Sequence, residues 1–140
     1  MRPKKIVYVY SADEETAADL RYVIDLRVQY RASAYLRHKD LLAAMLRRRP
    51  DALVAVVKSI PSGIAVLKAV EAFSDELRAV VMLPRISRIE RPTTKIAADW
   101  ILARDRLRLF ELLQVITKRK PGPRKGFKKA RELQAGKDGP

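Results

Sequence analysis

The chain has 140 residues, enough for one domain and a terminal segment. It holds no cysteine, which excludes a disulfide framework and thiolate chemistry, and no apolar run long enough for a membrane-spanning helix. Thirty Lys and Arg against sixteen Asp and Glu give a net charge of +14, a balance that favours an anionic partner, of which nucleic acid is the commonest. Residues 118–140 carry nine of those cations and two acids, half of the net charge in the last 23 residues.

The N-terminal MRPKKIVYVYSADEE has too short an apolar run for a secretory leader, so a cytoplasmic location is expected. Within it, residues 4–10 (KKIVYVY) read as a strand by their β-branched and aromatic content. Ser11 or Asp13 can cap the helix that follows, and Glu14 and Glu15 suit its first turn. Ala17, Leu20, Val23, Ile24 and Leu26 recur at helical spacing on one face. Residues 30–36 (YRASAYL) form a weaker strand. His38-Lys39-Asp40 leads into LLAAMLRRR, a short helix with its cations at the C-terminal end, stopped by Pro50.

The central stretch is PDALVAVVKSIPSG, residues 50–63. A short valine-rich run between turn residues reads as a strand buried on both faces, the kind found in parallel sheets. A helix is expected over 63–77, with Ile64, Leu67, Val70, Phe73 and Leu77 facing in, then a strand over 78–83 (RAVVML). Pro92 marks 84–95 as a loop. A fifth strand covers 98–103 (ADWILA), and a last helix covers 105–118, with Leu107, Phe110, Leu113 and Ile116 inward. Alternating strands and helices predict a five-stranded parallel sheet covered on both faces, a flavodoxin-like (βα)5 three-layer sandwich in the order 2-1-3-4-5.

PDALVAVV followed by PSGIAVLKAV resembles the third strand and third helix of the CheY-like receiver domains of response regulators. KKIVYVY, SADEETAADLRYVI, LRAVVMLP, AADWILA and RLRLFELLQVI fall in the receiver order, and the likeness spans residues 4–118. The resemblance implies a pocket at the carboxyl ends of the strands. In it, two adjacent acids and a third hold magnesium, an aspartate ending the third strand takes a phosphoryl group, and a hydroxyl residue and a lysine end the fourth and fifth strands. The matching places here are Ser11 and Ala12, with Asp13 the first acid, then Val56 (or Val57, one residue on), Pro84 and Ala103. None keeps the receiver residue. Magnesium takes oxygen ligands and phosphoryl transfer needs an acceptor with cations around it, which valine does not supply.

The remaining chemistry-bearing residues are sparse. His38 is the one histidine, and without a second His or Cys it makes a poor metal site or catalytic base. SIPSG and PGPRKG fit neither dinucleotide nor P-loop spacing. Ser11, Ser59 and Ser62 have no partner base, and Trp100 reads as core. No cofactor and no metal site are expected, and no catalytic residue. Arg47-Arg48-Arg49, the alternating Arg104, Arg106 and Arg108, and Arg85, Arg88 and Arg91 add to a basic surface.

The sequence divides into a receiver-like domain, residues 1–118, and a basic tail, 119–140, whose Pro, Gly and charge content predicts disorder. KRKPGPRKGFKK places seven cations in twelve residues. It is loosely similar to an AT-hook but lacks the Arg-Gly-Arg core, so counterion-releasing phosphate contact is the expected mode. Its candidate contacts are Lys118, Arg119, Lys120, Arg124, Lys125, Lys128, Lys129 and Arg131, and Phe127 is placed to stack on a base. The function expected is a phosphorylation-independent, non-enzymatic signalling or interaction module, with a protein partner on the folded domain and DNA or RNA on the tail. The alternatives are a stand-alone response regulator with an unusual acceptor and, last, a small flavodoxin-like enzyme.

Overall fold

The computed structural model describes residues 3–73, 76–85 and 94–118. The elements run β1 (Lys5–Ser11), α1 (Glu14–Asp25), β2 (Tyr30–Tyr35), α2 (His38–Arg47), β3 (Ala52–Val56), α3 (Ile60–Glu71), β4 (Arg78–Leu83), β5 (Ala97–Leu102) and α4 (Arg106–Lys118). The five strands form one sheet in the order β2-β1-β3-β4-β5, every pair parallel, as the residue pattern predicted. Four helices stand among the described residues. Most of the β4–β5 connection, residues 86–93, where a loop was expected, lies outside them. So does the tail.

Two apolar layers sandwich the sheet. On one face Tyr8, Tyr10, Leu53, Ala55 and Val81 pack with Leu41, Ala44 and Met45 of α2 and Val66, Leu67 and Val70 of α3. On the other, Val7, Val9, Val54, Val80 and Met82 pack with Leu20 and Ile24 of α1 and Leu109, Leu113 and Ile116 of α4. β3 feeds both layers along its length, which is why its sequence is continuous apolar rather than alternating.

Three helix expectations need correction, the first being Leu26, which is the C-cap of α1 and is 64% exposed. α3 occupies Ile60–Glu71 instead of 63–77. Ser59 caps it by accepting from the Ser62 N–H at 3.3 Å, and Pro61 is tolerated in the first turn, where its missing N–H would have no helical partner. Leu77 is buried in the segment entering β4. Leu107 does not face in but is 74% exposed. The sheet-facing stripe of α4 is Leu109, Leu112, Leu113 and Ile116, and two residues before Leu109 lies roughly 200° around a helix. No helix among the described residues is long and apolar enough to cross a membrane.

Candidate functional site

In a parallel sheet the strand ends form the natural ligand crevice. The register places Ser11 beside Val56, Val56 beside Met82, and Leu83 beside Leu102. The ladder extends one residue further through Val57 N–H to the Met82 carbonyl (3.0 Å) and Ala103 N–H to the Leu83 carbonyl (2.7 Å). Ser11, Ala12, Asp13, Val56, Pro84 and Ala103 therefore share one rim.

The chemistry of that rim is spent on structure. Ser11 is buried, and its hydroxyl accepts the Asp13 N–H at 3.2 Å. Asp13 caps α1: its Oδ2 accepts the Thr16 N–H at 3.0 Å and the Thr16 hydroxyl. The hydroxyl bond first and the backbone bond second hold the Asp13 carboxyl below its usual range, with Lys58 adding a smaller pull. A second acid at the rim, Asp105, accepts the Arg108 N–H at 3.1 Å and caps α4. In sequence Asp105 reads as the first residue of the last helix; an acid three residues before an N–H it can reach is the signal for the cap.

The acceptor position is apolar in either register. Val56 is half-buried against the α1–α4 layer, whereas Val57 is buried in the α2–α3 layer. Successive strand residues point to opposite faces, so a one-residue slip exchanges one core for the other and exposes no carboxylate. Pro84 is exposed and brings neither hydroxyl nor N–H, and Ala103 packs against the α1–α4 layer. Lys58, Arg85 and Arg104 are exposed cations at this rim. Among the described residues no three His, Cys, Asp or Glu side chains gather to hold a metal ion.

The other singled-out residues also have structural places. His38 opens α2 and meets Tyr10 edge-on, ring centroids 5.1 Å apart. Trp100 is buried core. Asp51, at the opposite end of β3, accepts the Ile6 N–H at 2.7 Å and ties β1 to β3. A cavity of about 200 Å³ beside α4 is lined by Arg27, Gln29, Tyr30, Leu107, Phe110, Glu111 and Gln114, none of them rim residues. Arg27 lies over the Phe110 ring at 3.8 Å there. Of the tail contacts only Lys118 is described, as the exposed last residue of α4; Arg119, Lys120, Arg124, Lys125, Lys128, Lys129 and Arg131 lie outside the described residues.

No protein-family model matches the chain, and no curated protein sequence matches it significantly. Solved structures do. A CheY-like response regulator receiver domain from Methylobacillus flagellatus superposes with a TM-score of 0.64 at 18% identity, covering 81% of this chain and 99% of its own. The response regulator domain of Thermotoga maritima CheB gives 0.63 at 17%, covering 83% and 96%. The beryllofluoride-activated NtrC receiver domain gives 0.64 at 17%, covering 85% and 99%. At such identities the likeness is one of architecture. With the sheet order and the two helical layers, it establishes that the chain has the CheY-like receiver fold.

Proposed function

We propose that this chain is a receiver-fold interaction module that works without aspartyl phosphorylation, and that its cationic C-terminal segment contacts nucleic acid. The carrying observation is the rim at the strand ends. Every position where a receiver holds acids, acceptor, hydroxyl or lysine is occupied by a residue unable to do that work, and both rim aspartates are engaged as helix caps. A phosphoryl group there would meet apolar carbon and have no carboxylate set to bring magnesium. The same lack of paired titratable groups favours a non-enzymatic role.

Two experiments test this reading. The first incubates the chain with a small-molecule phosphodonor and magnesium, then measures intact mass. No phosphoryl adduct is expected; a stoichiometric, hydroxylamine-labile adduct, the mark of an acyl phosphate on a carboxylate, overturns this reading. The second titrates the full chain against a short DNA duplex and a single strand over a salt series. Changing the tail cations Lys118, Arg119, Lys120, Arg124, Lys125, Lys128, Lys129 and Arg131 to Gln is expected to lower the slope of log K against log salt steeply, since each phosphate contact contributes about 0.9. An unchanged slope removes the tail from the contact.

A further inference from the structure

The seam between α1 and α4 holds the cavity of about 200 Å³ that no rim residue lines. One wall is the turn that leads from α1 into β2, and the backbone of that turn is pinned. The Arg27 N–H donates to the Ile24 carbonyl at 3.0 Å, the Tyr30 N–H to the Arg27 carbonyl at 3.1 Å, and the Lys5 N–H to the Gln29 carbonyl at 2.9 Å. The other wall is one side of α4, where Leu107, Phe110 and Gln114 follow at helical spacing. Earlier in α1, Asp19 pairs with Arg106 and ties the two helices together.

Two lining groups have bonding capacity that the fold does not use. Tyr30 is 1% exposed and packs in the α1–α4 layer, yet it borders the cavity, and its hydroxyl has no hydrogen-bond partner among the described residues. A buried hydroxyl of this kind calls for a partner from outside the chain. Arg27 is exposed, and its guanidinium lies over the Phe110 ring at 3.8 Å, which fixes its position. Its side chain forms no ion pair and no hydrogen bond among the described residues, so its N–H donors remain available. The acid of the lining, Glu111, pairs instead with Arg108 at 3.5 Å.

We propose that this cavity binds a small organic monocarboxylate, its carboxylate on Arg27 and the Tyr30 hydroxyl and its apolar body against Leu107 and Phe110. A guanidinium fork matches a carboxylate in two parallel bonds, and a phenol O–H supplies a further donor. Leu107 offers carbon that the fold leaves 74% exposed. Size points the same way. A cavity of about 150 Å³ accepts benzene, so this one holds a single substituted ring. It falls below the roughly 300–1,000 Å³ of sites for drug-sized ligands. Charge limits the ligand to one carboxylate, because Glu111 in the lining repels a second anion. Nucleotides and other phosphate chains are disfavoured for the same reason. The assignment is independent of the strand-end rim and of the proposed nucleic-acid contact.

The test titrates the full chain with benzoate and cyclohexanecarboxylate, with benzamide as the neutral counterpart, and reads backbone amide shifts by NMR. The carboxylates are expected to bind saturably and to shift the amides of Arg27, Gln29, Tyr30 and the facing side of α4. Benzamide should bind roughly tenfold or more weakly, the least that a hydrogen bond to a charged group implies. R27Q and Y30F should each weaken carboxylate binding by a similar factor, while K58Q, which removes one cation at the strand-end rim, leaves it unchanged. Y30F keeps the ring, and urea unfolding should show no loss of stability, because the hydroxyl has no partner in the fold. A clear loss would mean that the fold uses the hydroxyl, and overturns the assignment. No saturable shift with either carboxylate in large excess overturns the site. Equal binding of benzamide, with R27Q unaffected, reveals an apolar pocket without anion recognition and overturns the proposal. Equal weakening in K58Q means that net charge alone acts, and overturns it too.

Discussion

Gly63 shows how closely α3 approaches the sheet. A Cβ there would stand 2.8 Å from Trp100 Cζ3, 2.9 Å from Trp100 Cη2 and 3.1 Å from Val81 Cγ1. The indole is a rigid plate, so relief requires moving β5 or α3. Gly63→Ala is expected to lose about 1 kcal/mol net, because overpacking costs roughly 1–3 while helix propensity returns up to about 1. Urea unfolding measures it. In a Trp100→Phe background the second ring is gone and the cost of Gly63→Ala should shrink; an unchanged cost would show that the indole is not the obstacle. At the same scale, the rim aspartates show why residue type alone misleads. Asp13 looks in sequence like a remnant of an acidic pocket, yet its Oδ2 accepts both bonds from Thr16.

At the scale of elements, Tyr8 couples β1 to α2. Burial pushes its hydroxyl pKa up, Tyr35 adds to this, and Arg48 and Arg47 oppose it, so at neutral pH the group is protonated and donates. Its ring also meets Tyr35 of β2 edge-on at 5.2 Å. Tyr8→Phe keeps the ring and removes the bond to the Arg48 carbonyl, for a loss of about 1 kcal/mol in urea unfolding. Amide exchange near the end of α2 should quicken while exchange in β3 stays slow. Unchanged stability and exchange would show that the bond does not anchor α2. Boundaries were the least legible part of this level. α3 starts three residues before the predicted position because Ser59 and Pro61 together make a good helix start, a reading that competes with Pro-Ser-Gly as a turn.

For the whole molecule, the sheet separates two ends with different characters. The carboxyl-terminal rim, where receiver-fold chemistry is expected, is made of capping groups, apolar side chains and the exposed cations Lys58, Arg85 and Arg104. The amino-terminal end gathers exposed arginines and the root of the cationic segment. The absence of a phosphoryl adduct and the loss of salt slope in the tail variant are thus independent outcomes. Either can fail without the other.

The residues by themselves determined the layer architecture, because strand and helix periods and the continuous apolar run of β3 leave few ways to bury both faces of a sheet. They also determined that the third strand ends on valine: Val56 and Val57 are apolar in either register. Tertiary structure alone decided how the polar groups are used. Asp13 and Asp105 became caps because helix starts present unpaired N–H groups within their reach, and Asp51 became a tie between strands. It also decided that Arg31, unremarkable in an edge strand, faces the α2 side at the end of the sheet where α2 finishes with Arg47 and Arg48. That grouping depends on the side of the sheet each strand residue faces and on the direction in which each helix returns, neither of which is written in local sequence.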